Sequence, residues 1–79
     1  MNEDVRVGAC YSNGSFGRHW VVRQVTAVYP CERLREQCVE YRVVVGENRR
    51  RRFTATREEF QRWMSHEVVR NENSWERAE

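Results

Sequence analysis

Arg49, Arg50, Arg51 and Arg52 form an unbroken run, with Arg42 and Arg23 upstream of it. A guanidinium group is a permanently charged planar fork. It pairs at two points with phosphate or carboxylate and stacks on flat rings. One chemistry open to such a cluster is contact with the phosphates of RNA or DNA. The other is protective: charge on an edge strand discourages pairing with a second chain. All fourteen basic residues are arginine, a bias that the codon usage of a GC-rich genome accounts for as readily as function does. Twelve acidic residues lie among them, for a net charge of +2, which describes mixed-charge faces and not a polycation.

Catalysis and metal binding find less support. A nucleophile needs a base in reach and a group to orient that base. His19 and His66 are the only imidazoles, and Cys10 with His19 is the least poor pairing. No nucleophile elbow or glycine-rich loop surrounds them. His19 is expected to flank Trp20 at the start of a strand, and His66 to end a helix, where a cation suits the macrodipole. Zinc sites in small domains present paired ligands two to four residues apart. Cys10, Cys31 and Cys38 are spaced by 21 and 7 residues, so no such pair exists. The chain is therefore read as a non-enzyme with no catalytic residue, metal or cofactor. No apolar run approaches the ~20 residues needed to cross a bilayer. A cytoplasmic protein with reduced thiols is expected, although Cys31 and Cys38 flank a short segment and could meet across it.

The elements that would position these residues follow from alternation. Val39, Tyr41, Val43 and Val45 alternate with Glu40 and Arg42, the two-residue period of a half-buried strand over 38–45. Gly46 and Asn48 supply the left-handed backbone of a tight reversal, so the arginines are expected to return on an antiparallel strand over 49–55. Val5 to Tyr11 reads as a first strand, and His19 to Tyr29 as a second, ended by Pro30. In that second strand Trp20 and Val22 have one parity and Val25 and Ala27 the other. A bulge near Arg23-Gln24 would bring both pairs to one core. Thr56-Arg57-Glu58-Glu59 matches a capping box, opening a helix of about nine residues with Phe60, Trp63 and Met64 on one stripe. Glu67 to Arg70 reads as a brief fifth strand. Residues 71–79 and 1–4 read as flexible tails.

Five strands, one short helix near the C-terminus and wide early loops describe a mainly β (α+β) domain over 5–70: a small, strongly bent, SH3-like antiparallel sheet or barrel. The stretch Gly17 to Val25 with its Trp20-Val21-Val22, Val39-Glu40-Tyr41-Arg42-Val43, Gly46, Phe53 and the pair Phe60 and Trp63 resembles a group of short bacterial proteins of unknown function. Those proteins carry a Trp-x-Val strand, a Val-x-Tyr strand and a terminal Phe-x-x-Trp helix. The resemblance implies an SH3-like shape and carries over no catalytic residue.

Trp20, Tyr41, Phe53, Phe60 and Trp63 are expected in the core. Arg49 and Arg50 are expected in the turn and Arg51 beside the core, with Arg50 and Arg52 exposed near Arg42 and Arg23. That basic patch (Arg23, Arg42 and Arg49 to Arg52) is the nucleic-acid candidate, and Trp75, alone in a polar stretch, the candidate anchor for a protein partner. The leading expectation is a non-enzymatic binding module that engages a protein or a second copy as a weak homodimer through an exposed strand edge. The alternative is RNA or DNA binding through the arginine run.

Overall fold

Alternation builds the centre of the molecule. The computed structural model describes residues 5–32 and 36–78. In it β3, Gln37–Val45, buries Val39, Tyr41 and Val43 on one face and leaves Arg42 exposed on the other. β2, Val22–Pro30, and β4, Arg52–Thr56, flank it, with Tyr41 opposite Val25 and Phe53. β1, Cys10–Ser12, joins β2 to β5, His66–Asn71, and β6, Ser74–Arg77, completes the sheet. The order is β4-β3-β2-β1-β5-β6, antiparallel at every pairing, with β4 and β6 as open edges. The sheet is not closed.

The pairing of β2 with β3 shifts register twice, between Val22 and Arg23 and between Val25 and Ala27. Each shift sets an extra residue against its neighbour, Val44 in β3 and Thr26 in β2, and such bulges bend and twist a strand. The first shift adjoins the expected site, but it does not merge the two apolar sets. Val22 is fully buried yet stands outside the main cluster of Val5, Tyr11, Val25, Val39, Tyr41, Val43 and Phe60. Ala27 pairs with Glu40, on the face opposite Tyr41.

One helix covers one face. Arg57–Trp63 forms α1, seven residues where about nine were expected. Its capping box is complete: Glu59 N–H donates to Thr56 Oγ1 and Thr56 N–H to Glu59 Oε1, each at 3.1 Å. Hydrogen bonding from Thr56, its backbone N–H first and its side chain second, holds the Glu59 carboxyl below its ordinary pKa, so its contribution is complete above the usual carboxylate range and is lost as pH falls through the depressed value. Thr56→Ala is expected to cost about 1 kcal/mol in urea unfolding at neutral pH, and less in acid, where Glu59 is protonated. Phe60 is fully buried, its ring 5.6, 5.3 and 5.5 Å from those of Tyr11, Tyr41 and Trp63.

Several expectations need correction. Val5 to Ala9 is not a strand: Gly8 has φ +91° and Ala9 N–H turns back to Arg6 O, though Val5 remains in the core. Gly17–His19 is a 3-10 turn, so the second strand starts only at Val22. Phe53 is 37% exposed, because it sits on an edge strand with no strand beyond it, although it stacks on Tyr41. Trp20 is half-buried and outside the core cluster. His66 opens β5 and does not end the helix. Most of the expected C-terminal tail is structured. Glu72, at φ +58°, turns the chain so that β6 pairs with β5 through Arg70 opposite Trp75. Cys31 and Cys38 form a disulfide, with Cα atoms 5.2 Å apart, which overturns the expectation of reduced thiols for that pair. The middle of the loop it closes, and residues 1–4, lie outside the described residues. Among the described residues no helix is long and apolar enough to cross a membrane.

Candidate functional site

Register decides which side chains share the face away from α1. Arg52, Arg42, Gln24, Cys10, Val68 and Arg77 are successive partners across all six strands, forming one row from edge to edge. Arg42, Gln24 and Cys10 alternate with the core residues Tyr41, Val25 and Tyr11, so the row lies on the sheet face that the helix leaves uncovered. Arg70 and Trp75, paired two residues further on, share that face, with the Arg70 guanidinium 5.6 Å from the Trp75 ring centre.

Two grooves run over this face and meet at Val68 and Trp75. The first, of about 460 Å³, includes Cys10, Gln24, Arg42 and Arg70 in its walls. The second, of about 450 Å³, is bounded by Phe16, Trp20, His66 and Arg77. Phe16 is 89% exposed, and Trp20 is fixed by donation of its indole N–H to Ser12 Oγ. A smaller depression, of about 180 Å³, continues the first groove past Arg42 and Val44 to Arg49 and Arg50. The three form a continuous track, arginine-rich toward β4 and aromatic toward β6.

The arginine run divides between turn and strand. Gly46 and Asn48 adopt positive φ as expected, and so does Arg50, at +71°. The turn is held by Arg50 N–H to Val43 O at 2.8 Å and Arg51 N–H to Asn48 O at 3.0 Å. Arg49, Arg50 and Arg51 precede β4, so only Arg52 is a strand residue, and all four side chains are exposed, Arg51 included, contrary to its expected place beside the core. An arginine in left-handed backbone costs about 1 kcal/mol that glycine would avoid. Arg42 donates through Nε to Gln24 Oε1 at 3.2 Å. Among the described residues, Arg42, Arg49, Arg50, Arg52, Arg70 and Arg77 make no ion pair. Glu67 reaches the first groove but is bonded to Arg6, and Glu40 is the carboxylate that register places on the face itself.

Arg23 does not belong to this patch. It pairs with Tyr11 and Val43 on the helix side, where its guanidinium lies 3.8 Å from the Trp63 ring centre and 4.5 Å from that of Tyr41. Burial lowers its pKa, partly offset by Tyr41, and its Nε is buried without a hydrogen-bond partner. It is a packing residue that closes the core beside the helix.

Burial pushes the Cys10 thiol up, and Glu67 adds to this against the opposing charge of Arg42, so the thiol is neutral at neutral pH. Among the described residues no hydrogen bond joins Cys10 to His19, and no group of three potential metal ligands occurs. Arg70, Arg77, Phe16 and Trp20 are face residues that sequence reasoning did not assign. The alternation of Trp75 with Arg77 after a polar Asn-Glu-Asn turn was the available signal.

Comparison of the chain with protein-family models, curated proteins and solved structures finds no match.

Proposed function

We propose that this chain is a non-enzymatic nucleic-acid-binding module whose working surface is the uncovered sheet face. The observation that carries this reading is the row that sets Arg52 and Arg42 at one side and Arg77, with Trp75 beside it, at the other, without ion pairs. Guanidinium groups free of carboxylates are available to neutralise phosphates and so to release the cations condensed on a nucleic acid. Arg50 adds support, since a strained backbone position occupied by a charged, exposed residue is a cost without a packing return. The two register shifts and the helix over one face support an SH3-like reading of the bent sheet, with the gap between β4 and β6 left open, in line with the resemblance carried by Trp20, Tyr41, Phe60 and Trp63.

The test is a salt titration of binding to random RNA and DNA. Affinity is expected at about 50 mM salt and should fall steeply as salt rises. In the variant Arg49→Ser, Arg50→Gly, Arg52→Ser the slope should be shallower by about 2, because each neutralised phosphate of a single strand accounts for ~0.7 of it. Arg50→Gly relieves the left-handed strain, and circular dichroism of the variant separates a loss of binding from unfolding. No affinity at low salt, or affinity without a salt slope, would sink the reading. A second reading, pairing of two copies, is favoured by the open edges of β4 and β6. It predicts a concentration-dependent dimer by sedimentation, unaffected by Arg49→Ser and Arg50→Gly on the turn.

A further inference from the structure

We infer that the nucleic acid is single-stranded and crosses the strands of the sheet, with phosphates on the arginines and bases on Trp75 and Phe16. This rests on the nucleic-acid reading and adds which form of the polymer the face accepts. A duplex turns its phosphates outward and keeps its bases stacked inside, so it would satisfy the arginines and leave the aromatic half of the track without a partner. An unpaired strand offers both chemistries, and base stacking on aromatic rings is the usual way a sheet holds one.

The placement fits that division. Arg49, Arg50 and Arg42 surround the end of the track near β4, while Trp75, Trp20 and Phe16 surround the end near β6, where Arg77 supplies another cation. Measured along the sheet, the five strand-to-strand steps of ~4.8 Å from Arg52 to Arg77 sum to roughly 24 Å, so the contacts fall along a path and not at one point. Phe16 projects from the loop that follows β1 and is almost fully exposed, a cost in water that a stacked base would remove. Ser12, buried beneath, accepts from Gly14 N–H at 3.0 Å as well as from Trp20 Nε1 at 3.2 Å, so the loop and the indole are positioned by one hydroxyl.

The experiment compares three probes at one salt concentration. These are a thymidine oligomer of about 12 nucleotides, inside the ~4–16 range of small single-strand sites, a duplex of the same length, and inorganic polyphosphate. The oligomer is expected to bind about 10-fold more tightly than either of the others and to quench tryptophan fluorescence. Trp75→Ala should weaken oligomer binding about 10-fold, leave polyphosphate binding and the salt slope unchanged, and be rescued largely by Trp75→Phe. Because Trp75 lies on an edge strand, Phe16→Ala, on an exposed loop, serves as the second variant, with the fold of both checked by circular dichroism. Equal affinity for duplex or polyphosphate, or oligomer binding unchanged in both folded variants, would overturn the single-strand inference and leave the broader reading standing. Absence of binding to all three probes would overturn both.

Discussion

Phe60→Ala is expected to leave the chain largely unfolded at room temperature. Phe60 is the fully buried residue of α1, and its ring meets Tyr11, Tyr41 and Trp63 at centroid distances of 5.3 to 5.6 Å. Truncating a buried phenylalanine costs about 3–5 kcal/mol in transfer energy and cavity formation. A domain of this size commands about 4–12 kcal/mol in total, toward the low end when its core is small. The cavity would open under the only α-helix among the described residues, and a seven-residue helix does not persist without tertiary packing. Urea unfolding at about 1 kcal/mol per M should show the midpoint lowered by about 3 M, or no folded baseline. Phe53→Ala is the control. Its ring stacks on Tyr41 at 5.8 Å but is 37% exposed, so less than about 1.5 kcal/mol is expected. A larger loss for Phe53 than for Phe60 would mean that the helix is not seated on the sheet as described.

The contrast between those two rings also shows how far the sequence could be read. Alternation over residues 38–45 identified the central strand because the β period of two is unambiguous when charged and apolar residues take turns. The capping box at Thr56 and Glu59 was legible because both bonding partners lie within four residues. Phe53 was misplaced because parity fixes the face of a side chain but not whether anything covers it. Arg23 was misplaced for a related reason. The extra residue of the bulge fell in β3, at Val44, and not in the second strand, so Arg23 kept the helix-side parity of Tyr11 and Val43. Its long stem then let a charged residue serve as packing between Tyr41 and Trp63. The row from Arg52 to Arg77 was out of reach, since its members are set together by pairings between residues as far as 58 positions apart along the chain, Cys10 with Val68. Composition made the C-terminal stretch look like a tail, yet Trp75 and Arg77 in alternation were enough to form an edge strand once β5 offered a partner.

Removing the Cys31–Cys38 disulfide is expected to cost about 2.5 kcal/mol. The bond closes a loop of eight residues (a sequence separation of 7, counting both ends). By the chain-entropy relation such a loop restricts the unfolded chain by about that amount. Its place in the fold makes the constraint useful. Cys38 is the register partner of Thr56, the residue that caps α1, and Arg57 Nη1 donates to Gln37 Oε1 at 3.2 Å beside it. The loop end of the β2–β3 hairpin and the start of the helix are thus fastened at one corner, so loosening the hairpin also loosens the helix that covers the core. The double variant Cys31→Ser, Cys38→Ser should unfold at a midpoint lower by about 2.5 M urea, and the unaltered chain in excess reductant should match it. The variant itself should not respond to reductant, because the remaining thiol, Cys10, is held in its neutral form by burial and is a poor nucleophile for exchange. An unchanged midpoint in reductant would show that this corner is held by strand pairing and the helix cap alone. In that case the stability of the chain would rest on its single aromatic cluster, and the loss on truncating Phe60 should be correspondingly greater.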